Sequence, residues 1–228
     1  MRRRRMAGSG LARLGGVCGL LFVLLIVPAY VVGYPDAPTS VSGVGEVIGY
    51  YGASPDTFVL FNGVLPLFST FFFLWFLGAL YGVLRRAEGV DGVLSAIVLA
   101  GGILFITLSC AGYAVEILHP ATAQRFVNFV PDPQLAFGSL ALSAWLYHFC
   151  QIGDAVMVSA ASLAVLGSGI LPRWLGFVGL LVALLTLLHF QLPLLGAVAG
   201  LLWVVLVSVL MLVGVSEGSS TPRRRTRR

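Results

Sequence analysis

Lysine is absent from this 228-residue chain, and charge of either sign is scarce. Acidic residues number nine, and the fourteen basic residues are all arginine. Charged residues make up 10% of the chain, where a soluble domain carries about a quarter. Meanwhile 58% of residues are hydrophobic and the mean hydropathy is +0.98. A soluble protein of this size buries a core but has too few polar groups to cover the remaining apolar surface, so lipid is the solvent that fits. The missing lysine fits the codon bias of a GC-rich genome. A net charge of +5 suggests nucleic acid only if the arginines form a stripe on a soluble domain. They sit beside apolar spans instead, so no nucleic-acid partner is expected.

Cysteine is also sparse. Cys18, Cys110 and Cys150 each lie inside an apolar stretch, and no two share a metal-binding spacing, so they read as small packing residues. There is no HExxH and no phosphate-binding loop, and no cofactor is expected. The first apolar run follows a basic segment but exceeds the roughly 7–15 residues of a signal-peptide core. It reads as a retained helix.

A spanning helix needs about 20 mostly apolar residues. Six windows qualify: Leu14–Val32, Phe58–Leu84, Val93–Leu118, Leu140–Leu166, the short Trp174–Phe190, and Leu194–Val215. Pro35, Asp36 and Pro38 follow the first, and a polar turn from Arg85 to Gly92 separates the second and third. His119-Pro120 is expected to stop the third, Gly167, Gly169 and Pro172 the fourth, and Gln191 with Pro193 to make the last hairpin. Pro66 is expected to kink the second helix.

Loops rich in arginine stay in the cytoplasm. With the N-terminus inside, thirteen of the fourteen arginines fall on the inner side and only Arg125 outside. The expected fold is therefore all-α and polytopic, with six transmembrane helices and both termini cytoplasmic. It divides into a basic tail over 1–13, a transmembrane domain over 14–215 and a second basic tail over 216–228. The tails are expected to touch anionic headgroups of the plasma membrane.

Two outer segments are long. A short helix is expected over Val44–Tyr51, with Val44, Ile48 and Tyr51 on one face. In His119–Gln134, Phe126, Phe129 and Val130 are placed to lie on the membrane surface or cap the bundle. Small-residue rows at Gly15/Gly19, Gly196/Gly200 and Ala160/Ala164/Ser168 allow helices to approach closely, within the chain or between copies. The oligomeric state is not legible.

Several stretches resemble a known family. They are Phe72-Phe73-Leu74-Trp75-Phe76-Leu77-Gly78-Ala79-Leu80 and Leu84-Arg85-Arg86-Ala87-Glu88-Gly89, then Leu94-Ser95-Ala96 with Ala100-Gly101-Gly102, and Gly169-Ile170-Leu171-Pro172-Arg173-Trp174-Leu175-Gly176-Phe177-Val178-Gly179-Leu180. With Tyr50-Tyr51 they resemble bacterial, actinobacterial-type integral membrane proteins similar to domain of unknown function 4386. The resemblance runs from about Gly45 to Gly214 and implies a six-helix membrane fold. It implies no activity or catalytic residue, and His148 and Asp154 lie outside the stretches that carry it.

Charged groups inside lipid cost about 2.5–3.5 kcal/mol at a helix centre, so the few present are informative. Asp154 lies near the middle of the fourth window, roughly 20 Å from its outer end at 1.5 Å per residue. No arginine lies at that depth, so Asp154 either holds its proton or faces water. It is the first candidate for a proton or cation site, with Cys150, Gln151, Met157 and Val158 as same-face neighbours. His148 is six positions earlier, about 240° round the helix, so the two do not share a face, while Gln151 is close to both. His148 is a candidate proton relay or metal ligand. Glu116 and His119 share one side of a turn, and with His189 they are weak candidates for a divalent-metal site. Glu116 alternatively pairs with Arg125. A haem between His148 and His189 is disfavoured, because their depths are expected to differ by roughly 10 Å.

The intramembrane polar groups concentrate in the second to fourth windows: Asn62, Ser69, Thr70, Thr107, Ser109, Tyr113, Glu116, His148, Gln151 and Asp154. A polar cavity opening outward is therefore expected among helices two to four, with helices five, six and one as packing and lipid-facing walls and the aromatic run Phe71–Phe76 as bundle packing. The expected function is a transporter-like or ligand-binding membrane protein. The alternatives are a non-catalytic structural or accessory protein and, less favoured, a metal-dependent intramembrane enzyme.

Overall fold

The computed structural model of the chain describes residues 2–32, 42–52, 55–90, 92–126, 128–130, 132–189 and 193–214. The Pro/Ser/Thr stretch after the first span, Gln191 and the C-terminal arginine tail lie outside the described residues, as do the side chains of Arg2–Arg5. Among the described residues all regular structure is helical. The helices are α1 (Arg2–Val32), α2 (Val44–Gly52), α3 (Pro55–Val59), α4 (Leu65–Glu88), α5 (Val93–Glu116), α6 (Leu118–Arg125), α7 (Pro133–Ser168), α8 (Arg173–Leu187) and α9 (Pro193–Val213), with a π-helical turn, Leu60–Val64, joining α3 to α4.

Five stretches are long and apolar enough to cross a membrane: Gly10–Val32, Asp56–Glu88, Val93–Glu116, Pro133–Ser168 and Leu194–Val213. The expected fifth span is α8, apolar but only 15 residues long. At 1.5 Å per residue it covers about 22 Å, short of a hydrocarbon core of about 30 Å.

Local chemistry accounts for the boundaries. Asp132 caps α7, accepting from the N–H groups of Gln134 and Leu135, and Pro133 sits in its first turn, where its missing N–H costs nothing. The helix therefore starts seven residues before the expected Leu140. It ends at Gly169, in the left-handed region at φ 65°. His119-Pro120 does not simply end the third helix: α5 stops at Glu116, and α6 begins at Leu118 with Pro120 tolerated in its first turn. Pro66 has no N–H to offer the fourth residue before it. The ladder adjusts in the π-helical turn immediately upstream, while the Pro66 carbonyl accepts from Ser69 Oγ at 2.8 Å and Thr70 Oγ1 at 2.9 Å.

The long helices close a ring in the order α1, α4, α5, α7, α8, α9 and back to α1, with α4 also touching α7 across it. The core runs through the ring, with Phe73, Phe76, Leu77, Met157, Trp203 and Met211 fully enclosed. The most enclosed span is α7, whose apolar window is 61% buried against 33–44% in the other four. It thus presents a larger share of its window to the protein interior than any other span.

The seam between α5 and α7 rests on two glycines. A Cβ on Gly101 would stand 2.7 Å from Met157 N, and one on Gly153 would stand 2.5 Å from Phe105 N. The rows seen in the sequence are used inside the chain: Gly15 faces Ala79, Gly19 faces Phe76 and Ser208, and Gly196 faces Thr186 and His189. The aromatic run splits by face, with Phe73 and Phe76 buried and Phe71 and Trp75 about half exposed. Outward-facing Leu24, Phe68, Phe71, Leu181 and Leu202 form the apolar exterior a bilayer would cover.

The short helix expected over Val44–Tyr51 is α2, but its buried face is Val47 and Tyr51, packed on Ala136 of α7, while Val44 is exposed. Phe126 and Val130 are exposed, and Phe129 stacks on His119 with centroids 6.4 Å apart.

Candidate functional site

Asp154 is buried on α7 and borders a cavity of about 40 Å³ inside the ring. The polar lining is Ser69 and Thr70 of α4, Ser109 and Tyr113 of α5, and Tyr147 and Gln151 of α7. Positions 147, 151 and 154 recur at helical spacing, so one stripe of α7 faces the cavity. No arginine among the described residues lines it. The enclosure differs from the expectation that helices two to four form it alone. Phe22, Ile26 and Tyr30 of α1 and Ala197, Gly200 and Val204 of α9 supply the other wall. The last helix is thus part of the site, because the ring closes α9 onto α1.

Gly200 makes room for the carboxyl group: a Cβ there would stand 2.9 Å from Asp154 Oδ2. On the α8 side stands Thr186, fully buried. Its hydroxyl donates to the Val182 carbonyl at 2.9 Å and lies beside Asp154, towards which it can turn. A hydroxyl has one proton, so Thr186 serves one acceptor at a time. An ionised Asp154 takes that proton. A protonated Asp154 donates to the Thr186 oxygen and leaves the proton on Val182. Asp154 is therefore accommodated in either state by rotation of one hydroxyl.

Glu116, at the end of α5, holds two phenols. Tyr147 of α7 donates to its Oε2 at 2.6 Å and Tyr50 of α2 donates to its Oε1 at 3.3 Å. Its oxygens thus take tyrosine hydroxyls, in place of the expected pairing with Arg125. Tyr147 and Tyr113 also touch edge-on, 5.3 Å between centroids. Beside them, the Tyr51 hydroxyl is buried without a hydrogen-bond partner among the described residues. Burial pushes its pKa up, and the nearby Glu116 adds to the rise.

His148 and His189 meet: His148 Nδ1 lies 2.8 Å from His189 Nε2. This corrects the expected 10 Å difference in depth, since counting rise along each helix ignores helix tilt and the reach of two imidazoles. His189 Nδ1 faces the Thr186 carbonyl at 2.8 Å. A carbonyl only accepts, so Nδ1 carries a proton, Nε2 accepts, and His148 donates through Nδ1.

His119 is engaged elsewhere. Its Nε2 meets Ser139 Oγ at 3.1 Å, and that hydroxyl donates onward to the Leu135 carbonyl at 2.8 Å. Glu116, His119 and His189 therefore have separate partners, and no cluster of three metal-ligating side chains occurs among the described residues. No protein-family model, curated protein or solved structure matches the chain. The site has to be read from its own geometry.

Sequence reasoning singled out Asp154, Gln151, Glu116 and His148, but it missed Tyr147, Tyr30, Thr186 and Gly200. Tyr147 carries a signal in hindsight, standing seven residues, about two turns, before Asp154. The others lie on different helices, and nothing in a single sequence brings them together.

Proposed function

We propose that this chain is a six-span plasma-membrane protein with both termini cytoplasmic, and that Asp154 is a transporter-like site for a proton or a small monovalent cation. The count takes α8 as the sixth, shortened crossing, and the orientation rests on the arginine asymmetry of the loops. The arginine-rich tails then meet anionic headgroups on the cytoplasmic face. The family resemblance supports the six-helix count and adds no activity.

One observation carries the functional reading. A buried carboxyl group borders a small, mostly apolar cavity that carries several hydroxyls and that no described arginine faces. An intramembrane carboxyl without a basic partner is expensive unless its charge is managed. Here Thr186, Gly200 and the cavity hydroxyls manage it. Size narrows the occupant. Ligand pockets for organic molecules measure about 300–1,000 Å³, whereas about 40 Å³ admits water or a bare ion.

The test is proton flux into proteoliposomes carrying an internal pH dye, under an imposed pH gradient with the membrane potential clamped. Wild type is expected to exceed protein-free vesicles, and Asp154→Asn to fall to that background. Equal background flux in both overturns the proposal in favour of a packing role for Asp154.

A further inference from the structure

The geometry points to Glu116 as the proton-loading group for Asp154, with the Tyr147 hydroxyl as the link between them. The inference rests on the reading of Asp154 as a proton site and adds the route by which the proton arrives.

Tyr147 both hydrogen-bonds Glu116 and lines the cavity that Asp154 borders. Its hydroxyl donates to Glu116 Oε2 at 2.6 Å, a distance typical of an O–H to carboxylate bond. From Tyr147 to Asp154 is seven residues on one face of α7, about 10 Å of rise. Both residues line one cavity, whose wall is mostly apolar but carries the polar groups of Ser109, Tyr113 and Gln151, and which is roomy enough for water. Among the described residues Glu116 is the only other carboxyl group at this network, and it stands at the end of α5, where α2 and α6 meet the bundle. The titratable groups around it are phenols: Tyr50 and Tyr51 of α2, Tyr113 of α5, Tyr147 of α7, and Tyr30 of α1 beside Tyr113.

The proton balance closes. Glu116 takes a proton from water at the end of α5. It passes that proton to the Tyr147 oxygen as the phenol releases its own proton to cavity water. That water delivers a proton to Asp154, and Glu116 is again a carboxylate with Tyr147 neutral. One proton has entered, one has reached Asp154, and the phenol has rotated. Resetting it restores the 2.6 Å bond.

The same proteoliposome assay separates this inference from the one beneath it. Tyr147→Phe keeps the ring on Tyr113 and removes only the hydroxyl; Glu116→Gln keeps the shape and removes the proton acceptor. Each is expected to lower flux by at least about tenfold, a floor set below the roughly 10²–10⁴-fold that a positioned proton-transfer group contributes, while the thermal transition of the purified protein stays in place. Glu116→Asp, which keeps a carboxyl group but shortens the side chain, is expected to restore part of the flux lost in Glu116→Gln. A structural role for Glu116 predicts no such rescue. Wild-type flux in both Tyr147→Phe and Glu116→Gln, with Asp154→Asn inactive, overturns the relay and leaves the Asp154 site standing. Equal background flux in wild type and Asp154→Asn removes the site and the relay with it.

Discussion

Gly153 and Gly101 put two helix backbones in contact: a Cβ on Gly153 would stand 2.9 Å from the Gly101 carbonyl oxygen and 2.5 Å from Phe105 N. Backbone cannot yield as a flexible side chain does, so α5 and α7 must separate to admit even a methyl group. Gly153→Ala is expected to destabilise by about 1–3 kcal/mol, the range for overpacking a tight site. Gly138→Ala, where a Cβ meets nothing within 4 Å, gains helix propensity and is expected to be neutral or slightly stabilising. Thermal unfolding of both variants in one detergent checks the contrast, and a Gly153→Ala transition at or above wild type refutes the seam.

The histidine pair offers a second prediction. His189 is the middle of a chain, donating to the Thr186 carbonyl and accepting from His148. His189→Ala breaks both bonds and His148→Ala breaks one. A buried hydrogen bond contributes about 0.5–1.5 kcal/mol net, so His189→Ala is expected to cost more than His148→Ala. The double variant should cost less than the sum, with a coupling of about 1 kcal/mol. Additive losses mean that the 2.8 Å contact contributes nothing.

Tyr51 carries a prediction in pH. Its hydroxyl is buried without a partner among the described residues, and its pKa is raised, first by burial and then by Glu116. In the unfolded chain a tyrosine ionises near pH 10. Above that pH the unfolded state has lost a proton that the native state still holds, so native stability declines as pH rises from about 10 toward the higher native pKa. The slope is about 1.4 kcal/mol per pH unit for one proton. Tyr51→Phe removes this decline and at neutral pH is expected to match or exceed wild-type stability, because no hydrogen bond is lost. Unfolding midpoints at neutral pH and above pH 10 test both halves; parallel pH profiles would refute the account.

Trp203 is a similar case on α9. The indole is fully buried, and its Nε1 has no hydrogen-bond partner among the described residues. Trp203→Phe removes an unsatisfied donor worth about 1–3 kcal/mol of desolvation but leaves a smaller ring in a tight core. The two effects oppose, so the expected net change is within about 1.5 kcal/mol, the range for near-conservative core exchanges. Trp203→Ala is expected to cost about 3–5 kcal/mol. A loss of that size from Trp203→Phe would show that the indole N–H is satisfied in solution.

How much of this was legible beforehand follows from distance along the chain. Polar punctuation next to an apolar run is local, so the turn between α4 and α5 and the start of α5 at Val93 were readable, as was an isolated aspartate deep in the fourth window. Capping is a local signal too: Asp132-Pro133 starts α7, seven residues before the expected Leu140. What failed was pairing between helices. Gly101 and Gly153 are 52 residues apart, and nothing in either span marks the other as its partner. His148 and His189 were judged by depth alone, and α9 was judged lipid-facing because it is apolar, although Gly200 makes room for Asp154. A glycine contributes to a polar site by its missing side chain, which no hydropathy pattern registers.

Thr186 separates hydroxyl chemistry from packing at the site. If its one proton alternates between Val182 and Asp154, the hydroxyl is required and the methyl group is not. Thr186→Val keeps the volume and loses the hydroxyl. It is expected to lower proton flux by at least about tenfold, since an ionised Asp154 then lacks its donor, with little change in stability, because the Val182 carbonyl keeps its helical partner. Thr186→Ser keeps the hydroxyl and opens a methyl-sized void costing about 1 kcal/mol, yet is expected to retain flux. The two variants thus move stability and flux in opposite ways. A Thr186→Val protein with full flux beside an impaired Thr186→Ser would show that Asp154 depends on the packing of α8 against α7 and not on the hydroxyl.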